Sequence, residues 1–121
     1  GFAEQALIHE NQLVVVSPEL PFAQAAVLGC AVVTGAGAVL NTANVGPGES
    51  IVVVGAGGVG LNAVSGGRVA GAARIIAVDV DDEKLDKARR FGATDTVNSR
   101  TVDPVAAVRE LTGGGANHVF D

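Results

Sequence analysis

Between Ile51 and Asp79 the apolar pattern changes period twice. Ile51-Val52-Val53-Val54 is apolar without alternation, which suits a strand buried on both faces, as in a parallel sheet. Gly55-Ala56-Gly57-Gly58-Val59-Gly60 follows it, and the spacing then predicts a helix from Gly58 to about Ala70. Ile75-Ile76-Ala77-Val78-Asp79 returns to an unbroken apolar run. The order is strand, glycine turn, helix, strand, with an acid closing the second strand.

The βα alternation continues downstream. Asp81 and Asp82 can cap a helix on which Leu85, Ala88 and Phe91 share a face, with Arg89 and Arg90 in its last turn and Gly92 ending it. Thr96-Val97-Asn98 reads as a short peripheral strand. Asp103-Pro104 opens another helix, with Val105, Val108 and Leu111 at threes, and Thr112 to Gly115 ends it. Val119-Phe120 begins a fourth strand. Upstream, Phe2 to His9 and Leu13 to Val16 read as short strands around Glu10-Asn11-Gln12. Phe22 to Leu28 is an alanine-rich short helix, Gly29-Cys30 interrupts it, and Ala31 to about Ala43 resumes helical spacing. Thr34, Gly35 and Gly37 are small enough for another backbone or a ligand to come close. The turn cluster Asn44 to Gly48 places a boundary near Gly46, giving units 1–45 and 46–121. The fold class is α/β, with a partial doubly wound parallel sheet of the Rossmann type.

In that setting each glycine has a physical task. Gly55 permits the tight turn, Gly57 lets backbone approach a pyrophosphate, and Gly60 lets helix and strand pack closely. Gly58 and Val59 start the helix, whose free N–H groups and positive dipole end face the phosphates. Asp79, 19 residues after Gly60, can accept hydrogen bonds from the adenosine ribose. A 2′-phosphate about 4 Å from that carboxylate would cost about 1 kcal/mol per charge pair in water, and about 4 kcal/mol at an effective dielectric of 20. No arginine directly follows Asp79; Val80, Asp81, Asp82 and Glu83 do. The expected coenzyme is NAD rather than NADP.

Composition narrows the class. With 121 residues, 48% hydrophobic and 17% charged, the chain has the content of one globular core. Net charge of −5 with scattered basic residues argues against a nucleic-acid partner. No uninterrupted apolar run approaches about 18 residues, so no membrane span is expected, and no signal peptide opens the chain. One cysteine excludes an internal disulfide and fits a cytoplasmic location. The chain starts at Gly1 without methionine, and four strands fall short of the about six of a complete doubly wound fold. A piece of a longer protein is expected.

Cys30 alone reads either as a small buried side chain or as a metal ligand. A catalytic zinc needs three protein ligands and an open position. One cysteine and two distant histidines, His9 and His118, without C-x-x-C or H-E-x-x-H spacing, do not assemble one. Both histidines read as strand-edge or loop residues. Ser65 and Ser99 lack the spacing of a nucleophile–base pair.

Gly29-Cys30-Ala31-Val32-Val33-Thr34-Gly35, the Gly55–Gly60 turn, Gly71 to Asp79, and Phe91-Gly92-Ala93-Thr94-Asp95 together resemble the zinc-dependent alcohol dehydrogenases of the medium-chain dehydrogenase/reductase family, with class III-like members as the suggested relatives. The resemblance covers essentially the whole chain. It implies that residues 1–45 are the end of a catalytic domain and a linking helix, and that 46–121 are an incomplete NAD-binding domain. It further implies that Cys30 is one ligand of a catalytic zinc, that Thr34 and Val59 contact the nicotinamide, and that Gly55, Gly57, Gly58 and Gly60 form the pyrophosphate turn. Asp79 and Lys84 would serve the ribose. The implied reaction is hydride transfer between a small-molecule alcohol or aldehyde and NAD, by a homo-oligomeric enzyme of which this stretch alone would be inactive. A zinc-free relative of the same family and a non-catalytic nucleotide-binding module are the alternative readings.

Overall fold

The computed structural model describes residues 3–121. Four strands, β1 (Ser50–Val54), β2 (Arg74–Asp79), β3 (Asp95–Asn98) and β4 (His118–Phe120), form one parallel sheet in the order β3-β2-β1-β4. Four helical segments accompany them: α1 (Phe22–Thr42), α2 (Gly58–Ala70), α3 (Asp82–Phe91) and α4 (Pro104–Thr112). Because successive strand residues point to opposite faces, β1 and β2 supply both cores at once. Ile51, Val53, Ile75 and Ala77 pack with Val39 of α1, Ala63 and Val64 of α2, and Leu85 and Ala88 of α3. Val52, Ile76, Val78 and Val97 face Ala107, Val108 and Leu111 of α4. A strand covered on both sides has no solvent face to keep polar, hence the absence of alternation.

Local chemistry sets the helix ends. The Asp81 carboxylate accepts the Glu83 N–H at 2.9 Å to start α3, and Gly92 closes it behind Arg89 and Arg90. Asp103 accepts the Val105 N–H at 2.9 Å ahead of Pro104 in α4, and Gly113 ends that helix with φ +68°.

Three expectations are corrected. First, neither Ala3–His9 nor Leu13–Val16 is a strand; only a single 3-10 turn, Glu10–Gln12, forms there (Phe2 lies outside the described residues). A β pattern needs a partner edge to become a ladder, and these segments have none: Leu7 and Val15 are fully exposed. Second, Gly29-Cys30 does not break the helix. The chain passes through as a π-helical turn, Leu28–Val32, and a second one at Ala38–Thr42 carries it on. Glycine weakens a helix by about 1 kcal/mol relative to alanine but does not remove a backbone donor as proline does. Third, α1 consequently runs 21 residues, with mean hydropathy 1.8 over an 18-residue stretch of it, which by length and composition is enough to cross a membrane. Its second half instead packs against α2. A Cβ on Gly35 would overlap the Val59 carbonyl oxygen, and one on Gly66 would lie 3.1 Å from the Ala36 Cα.

Candidate functional site

The site grows from the point where β1 stops. Gly55 has φ +89°, a left-handed conformation that a side chain resists, and its N–H donates to the Val78 carbonyl at 2.8 Å. This turn carries the chain out of β1 and into the start of α2. Gly57 precedes α2 without any side-chain cap, so the first-turn N–H groups of that helix have no side-chain acceptor. No atom lies within 4 Å of a Cβ built on Gly55 or Gly57, and Gly58 meets only the Ala31 Cβ at 3.8 Å. Gly60 differs: a Cβ there would overlap the Gly55 carbonyl oxygen, because helix and turn are in backbone contact. The arrangement is an open row of amides over a closed base.

In front of that row lies a cleft of about 670 Å³. Thr34 of α1, Val59 of α2 and the four turn glycines line it, joined by Val119, Phe120 and Asp121 from the end of β4. The parallel pairing of β4 with β1, Val53 opposite Phe120, brings those last residues there. Sequence spacing had no means of supplying them, since the pairing partner lies more than sixty residues away in the chain.

Asp79, only 9% exposed, is the one buried charged residue among those described. Its Oδ2 accepts the Ala56 N–H at 2.8 Å, and its Oδ1 accepts those of Val80 at 2.7 Å and Asp81 at 3.1 Å. Lys84 Nζ stands 4.0 Å from Oδ1. Burial is the largest single influence and opposes the charge, but the three amides and Lys84 together outweigh it. The carboxyl is held below its ordinary pKa and stays ionised. Asp79 therefore ties the glycine turn to the end of β2. Oδ2 keeps acceptor capacity for a further donor. No spacing or motif in the chain announces the Ala56 bond.

The remaining residues are placed as follows. Cys30 is exposed in the π-helical turn of α1 and does not line the cleft. Among the described residues, no three of His, Cys, Asp and Glu come together as a metal would need, so Cys30 does not by itself fit a zinc site. His9 Nδ1 accepts the Asn11 N–H at 3.2 Å and caps a turn. His118 lies within β4, not before it, with Nε2 3.1 Å from Glu49 Oε2. Glu49 is held below its usual pKa, first by the Gly46 N–H and then by His118. A second cleft of about 510 Å³ opens beside the end of β2, lined by Val80 to Lys84 and by Arg100.

Comparison with known proteins gives a consistent picture. Residues 58–121 match the family model described as zinc-binding dehydrogenase. The chain is 48% identical over 122 aligned residues to the class-3 alcohol dehydrogenase of Myxine glutinosa, covering 99% of the chain and 32% of that protein. It is 44% identical to an S-(hydroxymethyl)glutathione dehydrogenase of Synechocystis, covering 99% of the chain and 33% of that protein. The crystal structure of benzyl alcohol dehydrogenase from Acinetobacter calcoaceticus superposes with a TM-score of 0.84 at 46% identity, over 88% of this chain and 29% of that one. A zinc-binding-domain alcohol dehydrogenase from Burkholderia ambifaria gives 0.82 at 47%, over 86% and 28%. The chain thus spans about a third of the length of the curated relatives it matches. On its sheet order, its glycine turn and these matches, among which the class-3 relative is consistent with a class III-like member, the chain belongs to the medium-chain, zinc-dependent alcohol dehydrogenase family.

Proposed function

We propose that the protein is an NAD-dependent alcohol dehydrogenase and that residues 46–121 bind its coenzyme, with 1–45 leading in from the catalytic domain. The observation that carries this reading is the set of uncapped amides opening α2 at Gly58–Gly60, in a glycine turn tied by the Ala56–Asp79 hydrogen bond to a buried acid on the neighbouring strand. The N–H groups opening α2 would hold the coenzyme's pyrophosphate, with the helix dipole behind them. Asp79 would accept from a ribose hydroxyl through the free capacity of Oδ2, with Lys84 beside it. Thr34 and Val59, on the walls of the same cleft, would orient the nicotinamide. NAD, when bound, supplies the hydride acceptor for the substrate alcohol. Cys30 would offer one thiolate to the family's zinc, the other ligands coming from elsewhere in the protein. A small-molecule alcohol or aldehyde is the proposed substrate class, the cytoplasm the proposed compartment and a homo-oligomer the proposed state.

The test is turnover by the full-length protein with aliphatic, aromatic and glutathione-linked hydroxymethyl substrates, following NADH formation. Activity that is lost in Cys30→Ser while NADH still binds is expected. Full activity in that variant would remove the metal role, and NADH binding without turnover on any alcohol would favour a non-catalytic nucleotide-binding module.

A further inference from the structure

The acidic run Asp79 to Glu83 has no basic residue directly behind Asp79, yet the fold brings one to it from farther along the chain. β3 pairs with β2 so that Asn98 stands opposite Asp79, and the Ser99 N–H donates to the Asp79 carbonyl at 3.0 Å. Asn98 then works in two directions. Its Nδ2 donates to Asp82 Oδ1 at 2.7 Å, and its Oδ1 accepts the Arg100 N–H at 2.9 Å. One side chain thereby fixes the Arg100 backbone against the start of α3. Arg100 and Lys84 are the two cations lining the second cleft, and Arg100 makes no ion pair among the described residues. The carboxylates of Asp81 and Asp82 are meanwhile turned to the Glu83 N–H and to Asn98.

We propose that Arg100 is a coenzyme-selecting residue: with Lys84 it forms the cationic half of a site for a phosphate on the adenosine ribose, from which the neighbouring Asp79 carboxylate repels that phosphate. This rests on the cleft's reading as a dinucleotide site. A guanidinium matches the phosphate oxygens with a planar fork, where an ammonium offers only a point charge, so the arginine carries the discrimination. Exclusion of NADP is then due to repelling carboxylates, Asp79 first and Glu83 on the cleft wall beside it, and not to a want of cations.

The experiment measures NADH and NADPH affinities, by coenzyme fluorescence, on the full-length protein. Asp79→Ser is expected to shift the preference toward NADPH by about tenfold or more. Adding Arg100→Gln should remove most of that shift, and Arg100→Lys in its place should restore part of it. If the double variant with Arg100→Gln keeps the whole shift, or if Asp79→Ser binds NADH but gains nothing for NADPH, the proposal is wrong. Should Asp79→Ser fail to fold, Asp79→Asn, which keeps an acceptor for the Ala56 N–H, replaces it. Arg100→Glu in the native background gives an independent reading: NADPH must weaken more than NADH, and equal weakening counts against the assignment. A native protein that binds neither coenzyme defeats the dinucleotide reading itself, an outcome distinct from either failure above.

Discussion

Gly57 and Gly60 sit three residues apart in one turn and should respond oppositely to a methyl group. In Gly60→Ala the Cβ meets the Gly55 carbonyl oxygen, so helix and turn must separate. Overpacking of this kind costs about 1–3 kcal/mol, which urea titration would show as a lowered midpoint. Gly57 has φ −78° and open space around it, so Gly57→Ala should fold with stability changed by no more than about 0.5 kcal/mol. Its methyl group would stand where the phosphates approach, and NADH affinity should fall about tenfold, about 1.4 kcal/mol. Asp79 gives a pH signature. Its folded pKa is depressed, so its contribution is complete above the unfolded value of about 3.9 and is lost as pH falls through the lower folded value. The stability gap between native protein and Asp79→Ala should be constant from neutrality to about pH 5 and close below about pH 4. A gap that widens in acid would contradict this. The position of Asp79 was legible from its distance to the glycine turn. Its bond to Ala56 was not, because it depends on the direction that a left-handed Gly55 gives the next amide.

At the scale of elements, legibility followed whether a segment's signals were local. The capped helices α3 and α4 carry their own start and stop residues, and both formed where Asp81, Gly92, Asp103 and Pro104 placed them. Replacing Asp103 with alanine removes the acceptor for the Val105 N–H and should cost about 1 kcal/mol, read as a drop in thermal midpoint. An unchanged midpoint would mean that Pro104 alone starts α4. The β-like segments near the N-terminus had the right residues but no edge to pair with, and their strand character came to nothing. The Gly29-Cys30 pair misled for another reason. A π-helical turn absorbs a local irregularity by rebonding the backbone, and no single-residue propensity announces that.

For the whole molecule, the sheet's outer strand β4 holds to β1 by three register pairs and by a polar clasp at its start. Asn117 Oδ1 accepts from the Ser50 backbone at 2.9 Å and hydroxyl at 2.8 Å, and His118 faces Glu49. The far edge of β4 is unpaired among the described residues, and the segment 13–16 is apolar and exposed. An open strand edge and uncovered apolar surface each favour association. The 121-residue chain on its own should elute larger than a monomer in size-exclusion chromatography, increasingly so with concentration; a sharp monomer peak throughout would contradict this. The parallel sheet and its two covered faces were legible from the unbroken runs in β1 and β2, whereas the walls that Arg100 and Phe120 add to the two clefts required the long-range pairing of strands. The most direct measurement is calorimetric titration of the full-length protein with NADH. Saturable heat at one site per chain, much weakened in Gly57→Ala, is the expected result; no heat with either NADH or NADPH, from a folded protein, would contradict the account at its root.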